Sequence, residues 1–418
     1  MELLKEVLKE IKPSPEEEKK VMSAVDGFLK KINAKLKNAK AVLGGSGAKG
    51  TWLAGSHDVD VYVIYDYEQY KSLSAKLSDL LEKILKNSFA GITRLHGSRD
   101  YFQVKQGNYL FEIIPILKIL EPKKALNITD ISPLHVHWVK KYRKFADQIR
   151  LTKQFMKASY TYGAESYIRG FSGYEAEVLT IHYKGFMEFI RAASKWKEKE
   201  VLDPEKYYKN EKEILNTLNI SKIVSPLIVV DPVDKDRNIA AALSPEKYGQ
   251  FIKACKLFLS NPSKESFEIK NITPEDFRKK AKNHKLILLE ITSLKGKEDV
   301  IGCKLLKAYN CIAEKLKAAD FKILHKGWVW DKEKKALFGY IIDKNPLEPY
   351  QNWPGPPINE KQHAEQFKKA HKKDKIIQRG NRLIAVVKRK HTLPDSFIKE
   401  LIHTDNYVKE RVKDIKFI

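Results

Sequence analysis

Gly44-Gly45-Ser46-Gly47-Ala48-Lys49-Gly50-Thr51-Trp52-Leu53-Ala54-Gly55-Ser56-His57-Asp58-Val59-Asp60 is the stretch on which the fold turns. It leaves a short apolar run, Ala41-Val42-Leu43, passes through a glycine-rich loop and enters a second run, Val59–Tyr65. Both runs read as strands. Side chains two apart on a strand point to the same face, so Asp58 and Asp60 project together. Two carboxylates this close repel one another unless a cation lies between them, and hard oxygen ligands suit Mg2+. The loop glycines let backbone N–H groups approach a phosphate. On the glycines alone, a plain tight turn is the alternative. A P-loop is excluded, because Ala48-Lys49 is followed by Gly50 and not by Ser or Thr.

Outward from this stretch the pattern is that of a small α/β domain. Upstream, Val21, Val25, Phe28, Leu29 and Ile32 recur at helical spacing, which predicts a helix over 15–37. Ser14 is its N-cap, Pro15 its first residue, and Glu17 can complete a capping box. Downstream, Leu73, Leu77, Leu80, Leu81 and Ile84 mark an amphipathic helix. Strands are expected at 91–95, 101–106 and 109–114, with the domain ending near Ile131. Within the last strand Glu112 interrupts Phe111-Glu112-Ile113-Ile114-Pro115. A charge in an apolar strand is costly without a partner, and a shared metal supplies one. Asp58, Asp60 and Glu112 are therefore the candidate catalytic and metal-binding set. A lone Asp-x-Asp could equally be solvated acids at a strand end; the loop before it and Glu112 after it favour chemistry.

Beyond Pro133 the chain turns helical, with principal helices expected at 150–160 and 173–193 and a charged surface insertion at 195–219. The apolar strand Leu227–Val230 runs into Asp231-Pro232-Val233-Asp234. The remainder mixes strands (286–291, 328–330, 337–342, 383–387) with helices (303–318, 361–372). Asn352-Trp353-Pro354-Gly355-Pro356-Pro357 reads as a turn or linker. The chain has 418 residues, enough for about two to four domains. Its net charge is +25, with 78 Lys and Arg against 53 Asp and Glu. A surplus of this size points to a polyanionic partner, although a well-solvated basic protein gives the same number. Three scattered cysteines, Cys255, Cys303 and Cys311, exclude a disulfide framework or zinc cage. The start reads as a charged amphipathic helix rather than a signal peptide, and no apolar run is long enough to span a bilayer. A cytoplasmic protein with no membrane partner is expected.

These motifs resemble a known family. Gly45-Ser46, Thr51-Trp52-Leu53, Gly55-Ser56 and the Asp58/Asp60 pair are similar to the signature of the polymerase-β-like nucleotidyltransferases. The segment from Tyr162 to Tyr174 and the segment from Val229 to Ala241, with Pro133-Leu134-His135, resemble the archaeal-type (class I) CCA-adding enzymes. The resemblance is strong over about Ala41 to Ser260 and weak in the C-terminal third. It implies template-independent addition of CCA to the 3′ end of tRNA from CTP and ATP, with Mg2+ held by Asp58, Asp60 and Glu112. It assigns Ser46, Lys49, His135, Lys153 and Tyr162 to the nucleotide triphosphate and sugar, and Arg237 to the incoming base. Three departures stand out. The carboxylates come as Asp, Asp, Glu where the family often has Glu first and Asp third. Gly47 stands where an aromatic is expected, and Lys49 where Arg is.

The resulting expectation is an α+β, multidomain chain. A catalytic domain would occupy 1–132, a helical central nucleotide-recognition domain 133–260, and a mixed α/β C-terminal body and tail 261–418. In the tail, Lys368, Lys369, Lys372 and Lys373 are expected to share one helix and to touch tRNA phosphates. A homodimer is left open. The rival readings are a poly(A) polymerase-like terminal transferase and a non-catalytic RNA-binding protein on the same scaffold.

Overall fold

The computed structural model describes residues 2–418. The chain divides into two compact units, Met1–Lys270 and Asn271–Ile418. The α+β expectation is borne out.

In the first unit α1 (Glu2–Ile11) and α2 (Pro15–Asn33) precede β1 (Ala39–Leu43). Ser14 caps α2 by accepting from the Glu17 N–H at 3.1 Å. Glu17 does not close the expected capping box; its carboxylate instead accepts from the Gly55 N–H at 2.8 Å, fixing the loop before Asp58. The predicted glycine loop is in part a short helix, α3 (Gly45–Lys49). There follow β2 (Asp58–Tyr65), α4 (Tyr67–Tyr70), α5 (Leu77–Lys86), β3 (Ile92–Leu95), β4 (Tyr101–Gln106) and β5 (Tyr109–Leu117). The five strands form one sheet in the order β1-β2-β5-β4-β3. Only β2 and β5 run parallel; the other neighbours are antiparallel. Phe28, Ile32, Val61, Val63, Leu77, Leu81, Phe102 and Phe111 fill the core between the sheet and its helices.

The helical part comprises α6 (Ser132–Lys140), α7 (Ala146–Ala158), α8 (Gly173–His182), α9 (Phe186–Ala193), α10 (Glu211–Thr217) and α11 (Pro245–Ser260). The single helix expected over 173–193 breaks at Gly185, whose φ of 137° no L side chain adopts without strain. Between these helices lies a small sheet, β6 (Glu200–Leu202), β7 (Leu227–Asp231) and β8 (Asp234–Asn238). The charged stretch 195–219 is more than surface decoration: Trp196 and Leu202 enter the main helical core, and Ile214 and Leu218 pack under β7. Val7 of α1 lies in the same main core as Trp138 and Phe155, so the chain's first helix packs with the helical part.

The second unit contains α12 (Pro274–Ala281), β9 (Lys285–Thr292), α13 (Glu298–Ala318), β10 (Ile323–Trp330) and β11 (Lys335–Ile342). It continues through β12 (Tyr350–Pro357), α14 (Lys361–Ala370), β13 (Lys375–Arg379), β14 (Arg382–Lys388), α15 (Pro394–Thr404), α16 (Asn406–Lys409) and β15 (Asp414–Phe417). One sheet has the order β10-β11-β9-β15 and the other β12-β14-β13. The proline-rich stretch is not a linker. It is the edge strand β12, where missing N–H groups cost no ladder bond on the open side, and its register slips between Pro354 and Pro357. Helix α14 stops at Ala370. His371 then bonds to Asp374 across a turn at 2.8 Å, so Lys372 and Lys373 lie beyond the helix and the shared helical face expected for the four lysines does not form. Among the described residues no helix is long and apolar enough to cross a membrane.

Candidate active site

The parallel pairing of β2 with β5 sets Asp60 directly opposite Glu112, with Asp58 one step earlier on the same face. On the other side of β5, Gln103 donates to Glu112 Oε1 at 2.7 Å and orients it. The Asp60 carboxylate sits under the start of α3. A Cβ at Gly45 would meet Asp60 Oδ2 at 1.6 Å, and Gly45 has φ +51°, so only glycine fits there. Asp60 is pushed up to about 6, chiefly by burial and next by the Glu112 charge. An acid held in this way gains from a nearby cation. Among the described residues no three metal-binding side chains close around one point. Asp58 remains exposed at the strand start, while Asp60 and Glu112 are half-buried. By chemistry, three carboxylates on adjoining strands fit a hard divalent ion.

Glu177 of α8 gathers the two lysines. Lys49 Nζ lies 2.7 Å from Glu177 Oε2, and Lys153 Nζ, from α7, lies 2.7 Å from Oε1. Thr51 Oγ1 donates to the same Oε1 at 2.6 Å. Burial alone would raise the Glu177 carboxyl, but Lys153 and Lys49 hold it down at about 2. Arg150 of α7 donates to the Trp52 and Gly50 carbonyls at 2.9 and 2.8 Å, so α7 grips the loop beyond α3. Ser46 lies within α3, half-buried beside Gly45. The Tyr162 hydroxyl lies where a Cβ at Gly173 would stand, 2.8 Å away. Its acidity is lowered by burial and then by the Glu177 charge.

Asp231, at the buried end of β7, organises a third cluster. His135 Nε2 lies 3.0 Å from Asp231 Oδ2, and Arg237 Nη1 reaches the same oxygen at 3.3 Å. Tyr174 donates its hydroxyl to Oδ1 at 3.0 Å. The Tyr174 ring stacks on His135 at 3.9 Å and has Lys49 Nζ 5.4 Å from its centroid. His135 is 8% exposed and burial lowers its pKa, against the opposing pull of Asp231.

The first unit therefore collects Asp58, Asp60, Glu112, Ser46, Lys49, His135, Lys153, Tyr162 and Arg237 into linked neighbourhoods. Lys368, Lys369, Lys372 and Lys373 belong to the second unit. Glu177 was not singled out from sequence, and Thr51, Tyr174 and Asp231, though part of the quoted motifs, were given no role. Glu177 and Lys49 are 128 positions apart, so no local pattern joins them. Asp231 did leave a trace, as an acid closing a wholly apolar strand.

Comparison with known proteins identifies the family. A nucleotidyltransferase domain model matches residues 25–149, a model of the second domain of tRNA nucleotidyltransferase matches 147–268, and a model of the CCA-adding enzyme C-terminal domain matches 284–415. The CCA-adding enzyme of Nanoarchaeum equitans is 37% identical over 329 residues, covering 78% of this chain and 79% of that protein. That of Methanocaldococcus jannaschii is 30% identical over 421 residues, covering 96% and 90%. Among solved structures, the Cid1 poly(U) polymerase superposes with a TM-score of 0.51 at 16% identity, over 64% of this chain and 98% of that one, a likeness of fold alone. The alternative readings, a poly(A) polymerase-like transferase and a retired scaffold, are not favoured by these relatives. The chain belongs to the archaeal-type CCA-adding enzymes, the tRNA nucleotidyltransferases of the polymerase-β-like superfamily.

Proposed function

We propose that this chain extends the 3′ end of tRNA with C, C and A from CTP and ATP, and that the Asp58–Asp60–Glu112 corner is where the bond is made. The observation that carries this reading is the parallel register that sets Asp60 against Glu112, directly under the glycine of the phosphate-facing loop. The primer 3′ oxygen attacks the α-phosphorus of the nucleotide and releases its proton to solvent, and the bond from the α-phosphorus to the bridging oxygen breaks to free pyrophosphate. Mg2+ is the cofactor of choice, and when bound it supplies acidification of the 3′ hydroxyl and neutralisation of the charge on the phosphates. Asp58, Asp60 and Glu112 would hold it.

The protein's own part is binding and orientation. Lys49, half-buried at the end of α3, is the ammonium group offered to the triphosphate; Lys153, expected from sequence to join it, is buried with its donors spent on Thr51 and Glu177, and its part is to hold Glu177 and the Thr51 turn in place. Gly45, without a Cβ, allows close backbone approach at the start of the short helix, and Ser46 adds a hydroxyl beside it. His135 and Tyr162 contact the phosphates and sugar. Arg237, with its side chain 29% exposed, offers a planar donor fork to the edge of the base.

Asp60→Ala tests the assignment. Addition to tRNA lacking its terminal CCA should be lost in Mg2+, because a metal ligand acts on charge that develops in the transition state. Binding of the same tRNA, measured by filter retention, should stay close to that of the unaltered chain, because RNA affinity comes from the basic surface. Survival of about a tenth of the activity would be far too much for a lost metal ligand and would remove Asp60 from the catalytic set.

A further inference from the structure

Asp231 is completely buried, yet every acceptor site on its carboxylate is used. Oδ1 accepts from the Val233 N–H and the Tyr174 hydroxyl, both at 3.0 Å. Oδ2 takes His135 Nε2 at 3.0 Å and Arg237 Nη1 at 3.3 Å. The first two donors belong to the scaffold: a backbone amide of the β7–β8 turn and a tyrosine on α8. The other two belong to the side chains proposed to meet the nucleotide, His135 buried against Tyr174 and Arg237 partly exposed. The acid thus ties both to the scaffold. Arg237 would otherwise be a long side chain on an exposed strand, free to sample many rotamers. Nη1 lies 3.3 Å from both Oδ2 and His135 Nε2, so one end of the guanidinium is held at the acid.

We infer that Asp231 is a positioning residue for nucleotide choice: it fixes the Arg237 fork so that one set of base edges is matched and others are refused. The inference rests on Arg237 being the group that meets the base. Asp231 touches neither substrate nor metal in this scheme; it acts through Arg237. Tyr174 extends the tie, since its ring lies against His135 and under Lys49, so base-reading and phosphate-binding groups share one support.

Asp231→Asn separates this role from a merely structural one. The Val233 N–H is a fixed backbone donor, so the amide oxygen must face it and Tyr174. The amide N–H2 then faces His135 and Arg237. His135 can move its proton to Nδ1 and accept, but a guanidinium has only donors. The substitution therefore removes the anion that anchors Arg237, leaving it only the neutral His135 Nε2 at 3.3 Å, while keeping shape and volume. The preference for CTP and ATP over UTP and GTP, measured as ratios of kcat/KM on tRNA lacking CCA or ending in CC, should fall by roughly 5- to 150-fold, the discrimination one base-reading fork supplies. In the Arg237→Ala background the same change should add nothing further to the loss.

The proposal is overturned if Asp231→Asn slows all four nucleotides by one common factor and leaves their ratios unchanged. It is equally overturned if the two substitutions multiply. If Arg237→Ala itself leaves UTP and GTP excluded, the base-reading assignment fails, and this inference with it. If Arg237→Ala relaxes the choice and Asp231→Asn does not, only the positioning role fails. Asp231→Ser, which leaves room for a water on Tyr174 and Val233, repeats the test should the Asn variant not fold, with the same two outcomes deciding.

Discussion

Gly45 and Glu177 show how single residues build this site. Gly45→Ala places a methyl where Asp60 Oδ2 now lies and forces a left-handed φ on an L residue. Strain of this kind costs about 1–3 kcal/mol, which the fold can absorb. The carboxylate, though, must move. The expected outcome is a stable protein by thermal melting that has lost most of its addition rate; normal rates would show that Asp60 need not lie under α3. Glu177→Gln leaves two buried ammonium groups without their anion, and removal of one partner from such a set costs about 3–5 kcal/mol. The pH dependence has a definite sign. The folded-state pKa, about 2, is below the ordinary 4.5, so this stabilisation is complete above pH 4.5 and drains away as pH falls toward 2. Denaturant titrations of the unaltered chain should show an acid-side loss in that window, reduced in the Gln variant. Identical slopes in both would contradict the Glu177 account. Asp58, Asp60 and Glu112 were legible in sequence because strand alternation places i and i+2 together and an acid in an apolar strand stands out. Glu177 and Asp231 were not, since their partners lie across the fold.

Strands of the catalytic sheet were readable as elements because apolar runs there are bounded by glycine and polar turns. Helix interruption at Gly185 was harder, since the residues on both sides keep helical spacing and only the backbone angle decides. Strand β12 misled for a related reason: proline signals a turn unless the strand is an edge, and edge position is a tertiary fact. The end of α14 bears on the proposed RNA contacts. With Lys372 and Lys373 beyond it, the four lysines act as separate points of charge, not as a stripe on one helix. Changing Lys368, Lys369, Lys372 and Lys373 together to Gln is expected to weaken tRNA binding. Each lost phosphate contact should flatten log K against log salt by about 0.7–0.9. An unchanged slope in salt-titrated binding would mean that these lysines are solvated surface only; Lys368 already pairs with Glu365 at 3.0 Å.

On the scale of the whole molecule, the net charge of +25 and the family membership converge on RNA as the partner, and the residues proposed for the chemistry all belong to the first unit. The fold class followed from the sequence because the α/β pattern around Asp58, the helical periodicity after it and the mixed tail differ plainly. Charge alone did not locate the contacts, since lysines are spread over both units. The central claim is that a site built on Asp58, Asp60 and Glu112, with Arg237 as base reader, adds a defined trinucleotide without a template. The direct measurement is the length and composition of product from tRNA lacking CCA, with each nucleotide alone and in pairs, in Mg2+. CTP alone should give addition of two residues, CTP with ATP three and then arrest, and UTP or GTP none. A product that lengthens indefinitely with ATP, or that incorporates UTP, would contradict the account.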